Sequence, residues 1–273
     1  MIRIQNIQIA VFFFLLIQVL PVTQAQVGIG ARGIALGNAT TALENYEWAI
    51  YGNPALLSST QKSIGFYGLR YYGLAEITDI SATLSVPTNW GVAALAFHRY
   101  GGDIYSETRI RVGYKNEWER FNMGLLVNYN HLSFGGDYGS GGALTVDVGI
   151  AAQLSENLWL GAKSVNITQS VYQFQGYDEG LYQDLSIGMS YHLAEKALFS
   201  VDLVKDVRFP VSWRGGVEIE IVEALVGRVG VSTEPITYSY GLGYAREAWS
   251  INLAVQQHEV LGTSPGLDII LRL

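Results

Sequence analysis

Between about residue 62 and Leu273, apolar side chains recur at every second position in one segment after another. A period of two marks a strand with one apolar and one polar face, because successive Cβ atoms of an extended chain point to opposite sides. Phe121, Met123, Leu125, Val127 and Tyr129 alternate with Asn122, Gly124, Asn128 and Asn130, with Leu126 as an exception. Leu144, Val146, Val148, Ile150, Ala152 and Leu154 alternate with Thr145, Asp147, Gly149, Ala151 and Gln153. About fourteen such segments follow one another, at approximately 62–72, 76–86, 91–100, 106–116, 121–134, 142–154, 158–169, 182–193, 197–206, 211–222, 225–233, 237–245, 249–257 and 266–273. Their lengths match the ~10 residues that a tilted strand needs to cross a bilayer. The pattern predicts an all-β chain, a transmembrane antiparallel barrel, and leaves twelve and fourteen strands both open.

The connections alternate as well. Short ones carry Glu, as in Glu117 and Glu119, Glu156, Glu195, Glu223 and Glu247. The others are mostly longer and richer in Gly and Tyr, as in 101–105, 135–141, 170–181 and 258–265. Short turns at one end and longer loops at the other are the habit of outer-membrane barrels. Trp90, Trp118, Phe121, Trp159, Phe199, Tyr244 and Trp249 sit near the short turns, where an interfacial aromatic girdle belongs. Tyr105, Tyr138, Tyr172, Phe174 and Tyr177 lie in the longer loops, where an outer girdle or contact with an apolar ligand would use them.

A soluble secreted β-sandwich or barrel would alternate too, but it would carry charges on its outer face. Here only 15% of residues are charged, and the polar faces are rich in Gly, Ser, Thr and Asn. The formal charge of −7 argues against nucleic acid, whose phosphates call for a Lys/Arg surplus. The absence of Cys excludes disulfides, thiolate metal sites, Cys nucleophiles and an N-terminal lipid anchor.

Residues 1–25 read as a secretory signal peptide, with Arg3, an apolar run from Ile9 to Leu20, and a small-x-small site that predicts cleavage after Ala25. Residues 26–61 do not alternate and are dominated by small residues. Asn53-Pro54 is a turn signal, and Pro54 can start a short helix. A barrel of this size is too wide for its own side chains to fill. The segment 26–61 is therefore expected to fold into the lumen as a plug, with a periplasmic extension as the alternative, and 62–273 to form the barrel.

Gly30-Ala31-Arg32, Leu36-Gly37-Asn38-Ala39, Trp48-Ala49-Ile50 and Asn53-Pro54-Ala55-Leu56-Leu57 together resemble the N-terminal hatch signature of FadL-like barrels. That superfamily includes long-chain fatty-acid and hydrocarbon transporters and the PorV/PorQ-like barrels. The Ala-Leu-Gly-Asn-Ala phrasing is closer to the latter. The motif covers about 30 residues of the chain. The resemblance implies an outer-membrane protein that passes or binds a small hydrophobic molecule through a lumen gated at Asn53, Pro54 and Ala55. It also implies an alternative, an accessory or scaffold barrel of a type IX secretion system. The implied partners are outer-membrane lipid and either a small hydrophobic ligand or a secretion-system protein. Two departures stand out: Glu44-Asn45-Tyr46 replaces the usual acidic pair, and the barrel leaves little chain for large outer loops.

In such a barrel, charges on the polar faces point into the lumen. Arg109, Arg111 and Lys115 share one face of one segment, opposite Ile110, Val112 and Tyr114. The same parity assigns Arg70, Lys163, Arg214, Arg228 and Arg272 inward, with the acids Asp79, Asp147, Asp184, Asp202, Glu218, Glu220 and Asp268. They can form a charged pathway that binds an anionic headgroup, or an internal ion-pair network that stiffens the barrel and holds the plug. The near balance of signs favours the network. His98, His131, His192 and His258 show no metal-ligand spacing, and no nucleophile elbow is present. Neither catalysis, a metal nor a cofactor is expected.

Overall fold

The computed structural model describes residues 28–273, apart from 75, 137, 138, 175–177 and 195. The expected signal peptide, its cleavage site, and Gln26 and Val27 lie outside the described residues. After a five-residue helix, α1 (Ala31–Ala35), and a 3-10 turn at Pro54–Leu56, the chain is almost all strand. The first seven strands are β1 (Ser63–Arg70), β2 (Thr78–Thr88), β3 (Gly91–Gly101), β4 (Tyr105–Trp118), β5 (Phe121–Phe134), β6 (Ser140–Ser155) and β7 (Leu158–Val165). A small hairpin follows, β8 (Val171–Gln173) with β9 (Asp178–Gly180). The chain then returns to the wall through β10 (Asp184–Leu193), β11 (Ala197–Asp206), β12 (Ser212–Val222), β13 (Leu225–Thr233), β14 (Ile236–Ala245), β15 (Trp249–His258) and β16 (Gly262–Arg272).

Each wall strand pairs antiparallel with its neighbours. β7 pairs with β10, and β1 pairs with β16 from Ser63↔Arg272 to Leu69↔Gly266. The ring therefore closes on fourteen strands, and the extra hairpin joins its ladder at Gly142↔Gln173. Closure leaves the fourteen-stranded wall without an open ladder edge, which is the condition that a hydrocarbon surround imposes on a sheet.

The two faces of the wall have opposite chemistry. Phe66, Leu95, Val112, Leu125, Leu185, Tyr240 and Leu253 are exposed on the outside. Asp79, Ser81, His98, Asn128, Asp147, Asp202 and Asp268 are buried on the inside. Trp90, Trp118, Phe121, Phe199, Tyr244 and Trp249 are exposed beside the short turns. Trp159 is not part of that belt. It faces inward and packs on the core, on the parity of Gly161 and the buried Lys163, while Leu160 faces out.

Arg70 also departs from the expected parity. It is exposed and shares the outer face with Ile64 and Phe66. The inward positions of β1 are Ser63, Gly65, Tyr67 and Leu69. Tyr67 and Leu69 are apolar because they meet other apolar groups inside the barrel, so reading polar as inward inverts this strand's end.

Those apolar groups come from residues 28–57. Ile34, Leu36, Leu43, Trp48, Ile50 and Leu57 form the core together with Tyr67, Leu69 and Ile270 of the wall. Each such large side chain contributes about 1.5–3 kcal/mol on burial. Wall glycines let the segment's backbone come close. A Cβ at Gly161 would lie 2.0 Å from the Thr41 carbonyl oxygen, and one at Gly230 would lie 2.2 Å from the Gly37 nitrogen. Gly124, Gly149, Gly216 and Gly241 meet Pro54, Asn53, Leu36 and Ala35 at similar range. These glycines stand around the half of the lumen nearer the short turns, on strands from both sides of the ring.

Candidate functional site: the lumen

Several inward polar groups of that half are used on the segment's backbone. Asp268 Oδ2 accepts from Ala31 N at 2.6 Å, and Asp202 Oδ2 accepts from Thr41 N at 2.9 Å. Ser200 and Ser190 donate to the Ala39 and Ala42 carbonyls, each at 2.7 Å. Arg111 donates to Ile50 O at 3.0 Å and Lys115 to Leu57 O at 2.7 Å. A backbone that enters a lumen without regular structure has to find such partners, since an orphaned buried donor or acceptor costs about 1–3 kcal/mol.

Asn53 is the centre of the arrangement and is fully buried. Its Oδ1 caps the 3-10 turn by accepting from Ala55 N at 3.0 Å. Its Nδ2 donates to Thr41 O at 2.7 Å and to Ile150 O of β6 at 3.0 Å. One side chain thus ties the turn, an earlier stretch of the segment and the wall. Pro54 and Ala55 are buried against Gly124.

Glu218, on β12, lies between two arginines, 2.8 Å from Arg32 Nε of α1 and 2.6 Å from Arg228 Nε of β13. Burial works against the Arg32 charge, but adjacent Glu218 outweighs it and raises the guanidinium above its ordinary range. Glu218→Gln would leave two buried guanidiniums facing each other. The expected loss is about 3–5 kcal/mol, typical of breaking a buried charge group, read from the urea midpoint of the folded, heat-modifiable band in detergent.

Above the segment, toward the longer loops, lies a cavity of about 570 Å³. Tyr51, Gly52 and Pro54 form its floor, and Phe209, Glu234, Pro235, His258 and Leu261 stand at its mouth. Tyr71, Tyr72, Tyr100, Tyr105 and Tyr182 line its wall. Their rings meet edge to face, Tyr71 with Tyr100 at 5.6 Å and Tyr100 with Tyr105 at 6.2 Å. Burial pushes the Tyr51 phenol up to about 12, and it raises the Tyr71 phenol as well, so both stay neutral.

The cavity also gathers Arg109, Arg111, Asp147 and Arg214. Arg109 is 2.6 Å from Glu107, and Arg111 lies 3.7 Å from Asp147 with its guanidinium over the Tyr51 ring. His98 also lines the cavity and is bonded by Asp79 at 2.7 Å. Lys115, Glu218 and Arg228 sit lower, against the segment. Arg70 is elsewhere, on the outer face. Tyr105, which the sequence pattern assigns to a loop, starts β4 and lines the cavity, while Tyr138 and Tyr177 lie outside the described residues. Tyr71, Tyr72 and Tyr100 carried no sequence signal. A Tyr at a strand end reads alike whether it lines a lumen or a girdle.

No family model matches this sequence, and no curated protein does. Solved structures do. The monoaromatic hydrocarbon channel CymD matches with a TM-score of 0.65 at 11% identity, covering 91% of this chain and 98% of its own. The Pseudomonas putida toluene transporter TodX matches with a TM-score of 0.63 at 11% identity, over 89% and 96%. A Pseudomonas aeruginosa FadL homologue matches with a TM-score of 0.60 at 10% identity, over 90% and 99%. At such identity the likeness is one of architecture: this chain has the fold of those channels, a closed fourteen-stranded barrel.

Proposed function

We propose that this chain is an outer-membrane barrel that binds a small, largely apolar molecule in the lumen. It passes the molecule on when the segment around Asn53, Pro54 and Ala55 gives way as a hatch. The observation that carries the reading is the cavity. Its size is that of a small-molecule site, its wall is aromatic, its mouth is at the longer loops, and its floor is the segment itself. The fold shared with channels named for toluene and monoaromatic hydrocarbons supports it. The exposed apolar band and the closed ring support the membrane setting. Passage needs no covalent chemistry, only displacement of Gly52 and Pro54 from beneath the ligand.

Native mass spectrometry of the protein extracted gently from its own outer membrane tests this. The expected result is a reproducible small adduct, diminished when Tyr100 and Tyr105 are both changed to Ala. An empty lumen with a stoichiometric protein partner would replace the reading with that of an accessory barrel.

A further inference from the structure

We propose that the outer face of the wall, at its long-loop end, binds the phosphorylated headgroup of a membrane lipid through Arg70 and Arg99. This rests on the outer-membrane setting and not on the cavity. Among the described residues, the outward positions of the fourteen wall strands carry no Asp or Glu. Every carboxylate of those strands lies on the inward parity. The outward Lys and Arg are Arg70 of β1, Arg99 of β3 and Lys205 of β11, and all three stand at the long-loop end. The chain as a whole has 24 acids against 17 Lys and Arg, so composition alone would not make this face wholly cationic.

Lys205 is used within the chain, donating to the Phe209 carbonyl at 2.6 Å. Arg70 and Arg99 are exposed and, among the described residues, make no ion pair. Glu76 and Asp103 are exposed in the loops after β1 and β3, beyond the strand ends, and pair with neither. Glu107 of β4 faces inward and holds Arg109.

The two arginines belong to one patch. Arg99 pairs with Ile80, and Ile80 pairs with Gly68, two residues before Arg70. Two strand steps across and two residues along separate the Cα atoms by roughly 12 Å, which two long side chains can close onto one headgroup. On the other side of Arg99, Thr108 and His131 continue the same cross-strand row. Phe66, Ile80, Phe97, Ile110 and Tyr129 are exposed beside and below the row, where the acyl chains of the same lipid would lie. A guanidinium matches phosphate oxygens with paired, charge-assisted hydrogen bonds, and a phosphate placed here meets no carboxylate on the wall.

The test is native mass spectrometry of the whole detergent-solubilised protein titrated with lipid A, which carries two phosphates, and with lipid A stripped of both. The phosphorylated form is expected to be retained in preference. Arg70→Gln and Arg99→Gln should each weaken its binding about fivefold, the worth of one basic side chain beside an anionic headgroup. The double variant should hold the two lipids nearly alike. Lys196→Gln removes an exposed cation at the short-turn end and should bind as the parent does. Equal retention of the two lipids by the unaltered protein, or of neither, overturns the inference and leaves the membrane setting standing. So does a loss in Lys196→Gln as large as in the arginine variants, which would make net charge the cause. A protein that stays in solution without detergent overturns the membrane setting itself. The comparison on the unaltered protein decides the matter even where a variant does not fold.

Discussion

Changing Asn53 to Asp will release the N-terminal segment, at a cost of at least about 3 kcal/mol. The native Nδ2 points at two carbonyl oxygens, Thr41 O at 2.7 Å and Ile150 O at 3.0 Å, with Ala162 O at 3.4 Å. A carboxylate in the same place presents an oxygen to all three, in a site with no exposure to water. Asn53→Ala will cost less. It loses the cap on the 3-10 turn, worth about 1 kcal/mol, and leaves the carbonyls unpaired without adding repulsion. The check is limited proteolysis. Arg32 is the sole trypsin site between residues 28 and 61, and its side chain is held by Glu218 inside the barrel. The Asp variant should be cut there under conditions that leave the Asn and Ala proteins whole. Equal resistance in all three would mean that the amide does not hold the segment.

The second large effect is expected at Gly230. A side chain there would start 2.2 Å from the Gly37 nitrogen and 2.4 Å from the Leu36 carbonyl carbon, and backbone cannot rotate aside. Gly230→Leu should therefore displace the segment from β12 and β13, at or above the upper end of the about 1–3 kcal/mol typical of overpacking. In planar bilayers the variant should show a stepwise ionic conductance well above that of the parent. Gly227→Ala is the control. It lies on the outer parity of the same strand, where a Cβ meets only the flexible end of Ile221 at 3.1 Å, and it should behave as the parent does. A closed Gly230→Leu barrel would contradict the close approach.

Strand placement was legible, though not the choice between twelve and fourteen strands, because lipid allows so few solutions. The segment expected at 121–134 is β5 at Phe121–Phe134, and that expected at 197–206 is β11 at Ala197–Asp206. One departure is instructive. The alternation expected to run to residue 169 ends at Val165, because Asn166 turns with φ 53 and gives its backbone N–H to inward-facing Asp147. Parity also failed at Arg70 and Trp159, for one reason. Polarity predicts facing only where one side of the wall is apolar lipid and the other is polar. Inside this barrel part of the lumen is itself an apolar core, so Tyr67, Leu69 and Trp159 point inward.

By itself, the sequence determined an all-β chain of membrane-length strands with a polar inner face, because the period of two is a local property that lipid enforces strand by strand. The tertiary structure alone decided what the inner face does. Ala31 and Asp268 are 237 residues apart and meet at 2.6 Å only because the ring closes. The same closure sets wall glycines against the segment's backbone and leaves the cavity that Lys163 and Arg214 line from strands three steps apart. Contacts across a lumen depend on curvature and register together, and neither is written in the alternation of a single strand.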